Sequence, residues 1–203
     1  MKVSIGIGIT SDCDLTCAHC YRPQGRVHQL SFDDVQGICD SLEVTSFNLG
    51  TGESWLHPQF SEIVTFLAER GIKMSMASNG HSLNAMPASL LRLFHDVEVS
   101  VDWATPQGQD AFRGAGHWAC AMSAIERCHA HGVEVTLLVT MMCTNYDQME
   151  GLVALAREVG ANLRANVYQP VQNSHYSLSY EQFWEGYRRL LGAGRLLSLH
   201  FAV

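Results

Sequence analysis

The sequence predicts an α/β protein on a parallel sheet, and three observations predict it. Short β-type runs alternate with longer helical patterns from Val3 to about Pro170. The helical patterns carry their own punctuation, with Pro58 in a first turn and Gly71, Gly132 and Gly160 just past helix ends. Strands separated by helices of this length need right-handed crossovers, which place neighbouring strands in parallel. Six such units fit either a doubly wound sheet or a partial (β/α) barrel. In both, chemistry gathers at the carboxyl ends of the strands.

Taken in order, Val3–Thr10 alternates apolar and small residues and is expected to be a strand. Ser31 is an N-cap candidate for a helix over Ser31–Leu42, whose apolar positions include Phe32, Val35, Ile38, Cys39 and Leu42. A short strand over Ser46–Gly50 enters a glycine-containing loop, and a helix over Pro58–Arg70 follows. The unit recurs as strand Ile72–Ala77, turn Ser78-Asn79-Gly80 and helix Met86–Phe94. Strand Val97–Val101 leads through a long loop to helix His117–His131. Strand Val133–Thr140, helix Tyr146–Val159 and strand Asn162–Tyr168 complete the series. After Pro170 the pattern changes to a polar loop, a helix over Ser179–Leu191 capped by Ser179, and the apolar tail Leu196–Val203. These shifts divide the chain into a core domain over 1–170 and a C-terminal helix and tail over 171–203, the possible start of a truncated extension. The tail is expected to pack across the open side of the sheet or to continue into further chain, because left bare it would invite association.

Composition narrows the function. Of 203 residues 47% are apolar and 16% charged, a balance that supports a packed core and argues against disorder. The net charge is −7 with no basic run, so no nucleic-acid footprint is present. No apolar stretch approaches the roughly 20 residues of a membrane span. The start, MKVSIGIGIT, lacks a small-residue cleavage site and does not read as a signal peptide, which makes the cytoplasm the expected compartment.

Seven cysteines, three of them within eight residues, do not look like a disulfide framework. Cys13, Cys17 and Cys20 form a C-x3-C-x2-C run in the loop after the first strand. Three thiolates can hold three irons of a cubane cluster and leave one iron open to a ligand. A structural zinc would want a fourth donor, and His19 is the candidate. Its place immediately before Cys20 makes joint ligation strained. Cys39, Cys120 and Cys128 lie in helical patterns as small hydrophobes. Cys143 sits near the rim after the fifth strand, and His57 and His175 are further candidates on the substrate side.

These residues resemble the radical S-adenosylmethionine superfamily, whose signature is this cysteine spacing. Its landmarks follow in order. Gly50-Thr51-Gly52-Glu53-Ser54 is similar to the family's Gly-Gly-Glu-Pro, with Thr51 and Ser54 departing from it. Ser78-Asn79-Gly80 is similar to its Thr-Asn-Gly. Ser100-Val101-Asp102, with Asp110-Ala111-Phe112-Arg113-Gly114, resembles a segment of the peptide- and protein-modifying branch, although Trp103 stands where many relatives carry glycine.

The resemblance implies a partial (β/α)6 barrel and two cofactors, a [4Fe–4S] cluster and S-adenosylmethionine. Cys13, Cys17 and Cys20 would be the metal ligands. Tyr21, Gly52, Glu53, Ser78, Asn79, Ser100, Asp102 and Arg113 would meet the cofactor, Glu53 through the methionyl ammonium and Ser100 and Arg113 through its carboxylate. Reductive cleavage would give a 5′-deoxyadenosyl radical that abstracts hydrogen from a peptide or protein side chain. A reductant such as a flavodoxin or ferredoxin would be a partner. The rival expectations are a small-molecule substrate and a non-catalytic electron-relay protein. Many relatives carry auxiliary clusters in a cysteine-rich extension; no cysteine follows Cys143 here, so such an extension is either missing by truncation or not used.

Overall fold

The computed structural model describes residues 2–22 and 25–197. Six strands, β1 (Lys2–Ile7), β2 (Glu43–Leu49), β3 (Lys73–Ser78), β4 (Asp96–Ser100), β5 (Glu134–Met141) and β6 (Asn162–Val167), lie side by side in chain order. Every neighbouring pair is parallel. Sequential order, with helices returning each crossover, gives a curled half-barrel and not a doubly wound sheet.

Helix α1 (Phe32–Ser41) begins where predicted, with Ser31 and Asp34 forming a reciprocal capping box. Helix α2 (Phe60–Glu69) buries Phe60, Ile63, Val64 and Leu67 on one face. Between β3 and β4 the expected single helix is two short ones, α3 (His81–Ala85) and α4 (Ala88–Leu91). Pro87 explains the break, because its ring forces Met86 into an extended conformation (φ −67°, ψ 150°). The expected long loop after β4 contains a helix, α5 (Pro106–Arg113), with Thr105 as N-cap and Pro106 in its first turn. Helix α6 (His117–Ala130) and α7 (Met149–Glu158) follow their predicted segments. Ser179 caps α8 (Tyr180–Leu197): its Oγ accepts from Gln182 N at 3.2 Å, and its own N–H donates to Gln182 Oε1 at 2.9 Å. Most of the apolar tail Leu196–Val203 lies outside the described residues.

The strands are two-faced. Phe47 and Leu49, Met74 and Met76, Val97 and Val99, and Leu137 and Val139 point outward into one continuous core under the helices. Burying such side chains stabilises the fold by about 1.5–3 kcal/mol each. The alternate positions point inward, as period-two geometry requires, and they are small or polar: Ser46, Asn48, Ser75, Ala77, Glu98, Asn166. The half-barrel therefore encloses an open lumen of mixed lining, with Leu138 of β5 among these polar groups, instead of the layered apolar filling of a closed barrel.

Candidate functional site

The site is built on the loop between β1 and α1. The loop's base is clasped by an antiparallel return, in which Ser11 N donates to His28 O, His28 N to Ser11 Oγ (both 2.8 Å) and Leu30 N to Ile9 O (2.9 Å). Arg22 braces it from inside, donating to Ser11 O at 2.6 Å and Leu15 O at 3.0 Å. Held in this way, Cys13, Cys17 and Cys20 line one cavity of about 690 Å³ at the carboxyl ends of the strands.

Their chemistry suits a metal. Burial is the main reason the Cys13 thiol is pushed up to about 11, and it raises the Cys17 thiol as well. Thiols in such surroundings become thiolates when a cation displaces the proton. Asn79 Nδ2 and Arg113 Nη1 stand 3.9 Å from Cys13 Sγ and Cys17 Sγ, ready to donate to sulfur. One tetrahedral zinc would draw its sulfurs to about 3.8 Å from one another, given zinc–sulfur bonds of about 2.3 Å. Among the described residues the set of three ligand atoms mutually within 4.8 Å is Cys13, Asp14 and Glu53, so the three sulfurs stand wider than one ion asks. Asp14 is already engaged, accepting from Asn79 Nδ2 at 2.6 Å and pairing with His81 at 2.8 Å.

His19 is occupied elsewhere. Its ring stacks on Phe112 at 4.8 Å, and its Nε2 stands 4.0 Å from Asp102. Burial lowers its pKa to about 4, which keeps the imidazole neutral. Three thiols, with Asp14 and His19 engaged by other partners, fit a cluster with one open corner.

The second motif closes on the first. Gly52, at φ +65°, packs so tightly under the loop that a Cβ would fall 2.4 Å from Asp12 O and 2.6 Å from Thr10 O. Its neighbour Glu53 donates its N–H to Asp12 O at 2.6 Å. The buried Glu53 carboxylate accepts from Ser78 Oγ and, at 3.0 Å, from Asn79 N, and burial outweighs these bonds in raising its pKa. Tyr21 reaches across to Thr51, hydroxyl to hydroxyl, at 2.6 Å. The β1, β2 and β3 motifs are thus bonded to one another.

The fourth motif is assembled differently from expectation. Asp102 is wholly buried and does not line the cavity. Its Oδ2 receives both Nε and Nη2 of Arg113 at 2.7 Å, and its Oδ1 accepts from Thr140 N at 2.8 Å. Asp102 therefore aims Arg113, and the direct cofactor contact expected of it finds no free surface. Surface pairing of Arg113 with Asp110 does not occur, because Asp110 accepts from Gly116 N and Trp118 N instead. Ser100 and Arg113 both line the cavity. Trp103 replaces the relatives' glycine by lying over Gly108, where a Cβ would stand 2.5 Å from its ring, and against Phe112 at 4.3 Å.

Two buried amides escaped the sequence reading. Gln109 Oε1 accepts from Asp102 N (2.9 Å) and Trp103 N (3.1 Å), while its Nε2 donates to Ser100 O (3.2 Å). Asn145 donates to Asp102 O and Thr140 O, both at 3.0 Å. Both lock the end of β4. A polar residue at an apolar-face position of a short helix was the one available signal for Gln109. His57 turns out to be structural, bonded to Leu30 O and Gln59 N. His175 packs edge-on to Tyr176, and Cys143 donates to His175 O; neither lines the cavity.

Fold and site together define an α/β half-barrel of the kind that carries a cysteine-bound cluster at its open end. The Radical SAM superfamily model matches residues 7–156, and the chain belongs to that superfamily. Its cofactors are those of the family, a [4Fe–4S] cluster and S-adenosylmethionine.

Over 170 residues the chain is 34% identical to mycofactocin maturase MftC of Mycobacterium ulcerans, covering 80% of this chain and 46% of that protein. It is 25% identical over 162 residues to the subtilosin biosynthesis protein AlbA of Bacillus subtilis, covering 75% of this chain and 36% of AlbA. Among solved structures, Streptococcus suis SuiB bound to S-adenosylmethionine superposes with a TM-score of 0.79 at 12% identity, over 97% of this chain and 48% of SuiB. The chain spans about half the length of these relatives or less.

Proposed function

We propose that this chain is the radical-generating core of an enzyme that modifies a peptide or protein. The observation that carries the reading is the convergence of Cys13, Cys17, Cys20, Glu53 and Arg113 on one cavity. The likeness to maturases and to a bacteriocin biosynthesis protein supports a peptide substrate.

Cys13, Cys17 and Cys20 would hold three irons. With S-adenosylmethionine, such a cluster would supply the radical chemistry for taking a hydrogen atom from the substrate. The residues around it bind and orient. Glu53, desolvated and fixed by Ser78 and Asn79, keeps lone pairs for an ammonium. Arg113 offers Nη1 to a carboxylate while Asp102 holds its other nitrogens, with Ser100 alongside. Gly52 sets the height of the cysteine loop, and Tyr21, on the cavity wall, would meet the adenine. The core domain would take residues 1–170, followed by a C-terminal segment, 171–203, of which Leu190 and Ala193 join the core of the half-barrel. A flavodoxin or ferredoxin in the cytoplasm would supply the electron.

A pure electron relay would leave the Glu53–Ser78–Asn79 arrangement without a ligand to hold. The two readings part under anaerobic reconstitution with iron and sulfide, followed by dithionite and S-adenosylmethionine. The enzyme releases 5′-deoxyadenosine, and Cys17→Ala abolishes it together with bound iron. A loaded wild-type protein that releases none is a relay.

A further inference from the structure

The lumen below the cysteines holds a charge pair that none of the four motifs includes. Glu98 projects inward from β4 and Arg164 from β6, and Arg164 Nη1 donates to Glu98 Oε1 at 2.6 Å. The pair spans β5 over Leu138, the residue in register with Arg164. Both line the same cavity as the cysteines. They are unequal partners: the Glu98 side chain is 9% exposed, whereas that of Arg164 is 44% exposed and faces the open lumen.

Of the other two cavity-lining guanidiniums, Arg22 is spent on loop carbonyls, and Arg113, held by Asp102, has its remaining nitrogen assigned to the cofactor's carboxylate. Arg164 commits one nitrogen to Glu98. An arginine fork has five N–H donors in one plane, and braced at one corner it presents the rest to an acceptor in fixed orientation. A planar anion with two oxygens matches that edge. Arg164 lies three residues before the end of β6, so about 10 Å of strand separates it from the rim at about 3.3 Å per residue. Through Leu138 it is level with Ser100 of the fourth motif but two strands removed, on the β6 side of the lumen, where a substrate would lie beside the cofactor.

We infer that Arg164, braced by Glu98, anchors a carboxylate of the substrate on the lumen wall and so selects acidic peptide segments. The inference rests on the peptide-modifying reading above. The carboxylate could be an Asp or Glu side chain or a chain terminus, and the two sources share this chemistry.

The test uses fluorescein-labelled pools of random octapeptides titrated by anisotropy into the reconstituted full chain with S-adenosylmethionine. One pool carries a fixed central Glu and a C-terminal amide. A second carries Gln and the amide, and a third carries Gln and a free carboxylate. Wild type should bind one carboxylate pool at least about tenfold more tightly than the Gln amide pool, the discrimination expected of one forked ion pair. Which pool wins identifies the source.

Arg164→Gln should erase the preference. Because it strands Glu98, the double variant Glu98→Gln/Arg164→Gln restores a neutral hydrogen-bonded pair and should behave the same way. Exchanging the charges, Glu98→Arg with Arg164→Glu, should shift the preference to a pool with a fixed Lys. Equal binding of all pools by wild type, absence of binding included, or a preference that survives in the double variant overturns the inference. Release of 5′-deoxyadenosine without peptide is read in parallel. Its retention in every variant shows that the radical-generating site stands whatever the outcome here, and its absence from wild type sinks that reading separately.

Discussion

Arg113 and Asp102 form a closed ion pair beneath the cavity, with two guanidinium nitrogens on one carboxylate oxygen at 2.7 Å each. Both side chains are almost fully buried, at 8% and 0% exposure. A buried charge is tolerable only while its partner is present.

Asp102→Ala should therefore destabilise the cluster-free protein by about 3–5 kcal/mol, read from urea unfolding, because it leaves a buried guanidinium unpaired. Asp102→Leu combined with Arg113→Met should recover much of that loss while still failing to bind S-adenosylmethionine. Stability and binding would then part, as expected if Asp102 acts through Arg113.

Gly52→Ala places a methyl group against two backbone carbonyls that belong to the cysteine loop. Iron and sulfide retained after reconstitution should fall sharply, while the far-ultraviolet circular dichroism stays that of the wild type. Gly132→Ala is the control: its φ is +73° but nothing stands within 4 Å of the new methyl. It should lose about 1 kcal/mol of stability from the left-handed backbone alone and load the cluster normally.

Gln109→Ala removes the acceptor for the amides of Asp102 and Trp103. Each stranded buried N–H is expected to lower stability by about 1–3 kcal/mol. The variant should also raise the KM for S-adenosylmethionine more than it lowers kcat, since the end of β4 loosens around Ser100 and Arg113.

His117 gives the fold a pH dependence. Burial, helped by the Arg113 charge, lowers its pKa from 6.5 to about 4. Its Nδ1 accepts from Gln109 Nε2 at 3.1 Å, and Gln109 cannot flip its amide without abandoning two backbone donors. Protonation at Nδ1 would set donor against donor. The unfolded chain binds this proton from pH 6.5 downward and the folded chain resists it until about pH 4, so stability is lost as pH falls through that window. The Tm of the cluster-free protein should decline from pH 6.5 to 4, and His117→Gln should flatten the decline. His19, lowered to about 4 chiefly by burial, contributes in the same direction.

Much of this was legible in one dimension. The strands announced themselves by alternation, and the C-x3-C-x2-C run gave the candidate metal ligands directly, because residues close in sequence can be close in space. The choice between a doubly wound sheet and a half-barrel was not legible from periodicity, since it depends on which distant strands pair. Helix α5 was hidden because it is polar, with Gln109 as its buried residue, although Thr105-Pro106 carries a helix-start signal. Pro87 equally foretold the break between α3 and α4. The partners of Asp102 could not be read at all: Thr140 and Asn145 lie 38 and 43 residues away and meet it only when β4 and β5 pair.

The two-faced sheet has a consequence for how such proteins diversify. Adhesion between strands and helices resides on the convex side, so the concave side is free of that duty. Replacing inward residues such as Ala77 or Asn166 alters what the hollow accepts while leaving the outward apolar packing in place. A scaffold organised in this way can trade one client molecule for another through a few changes, with little risk of collapse along the route.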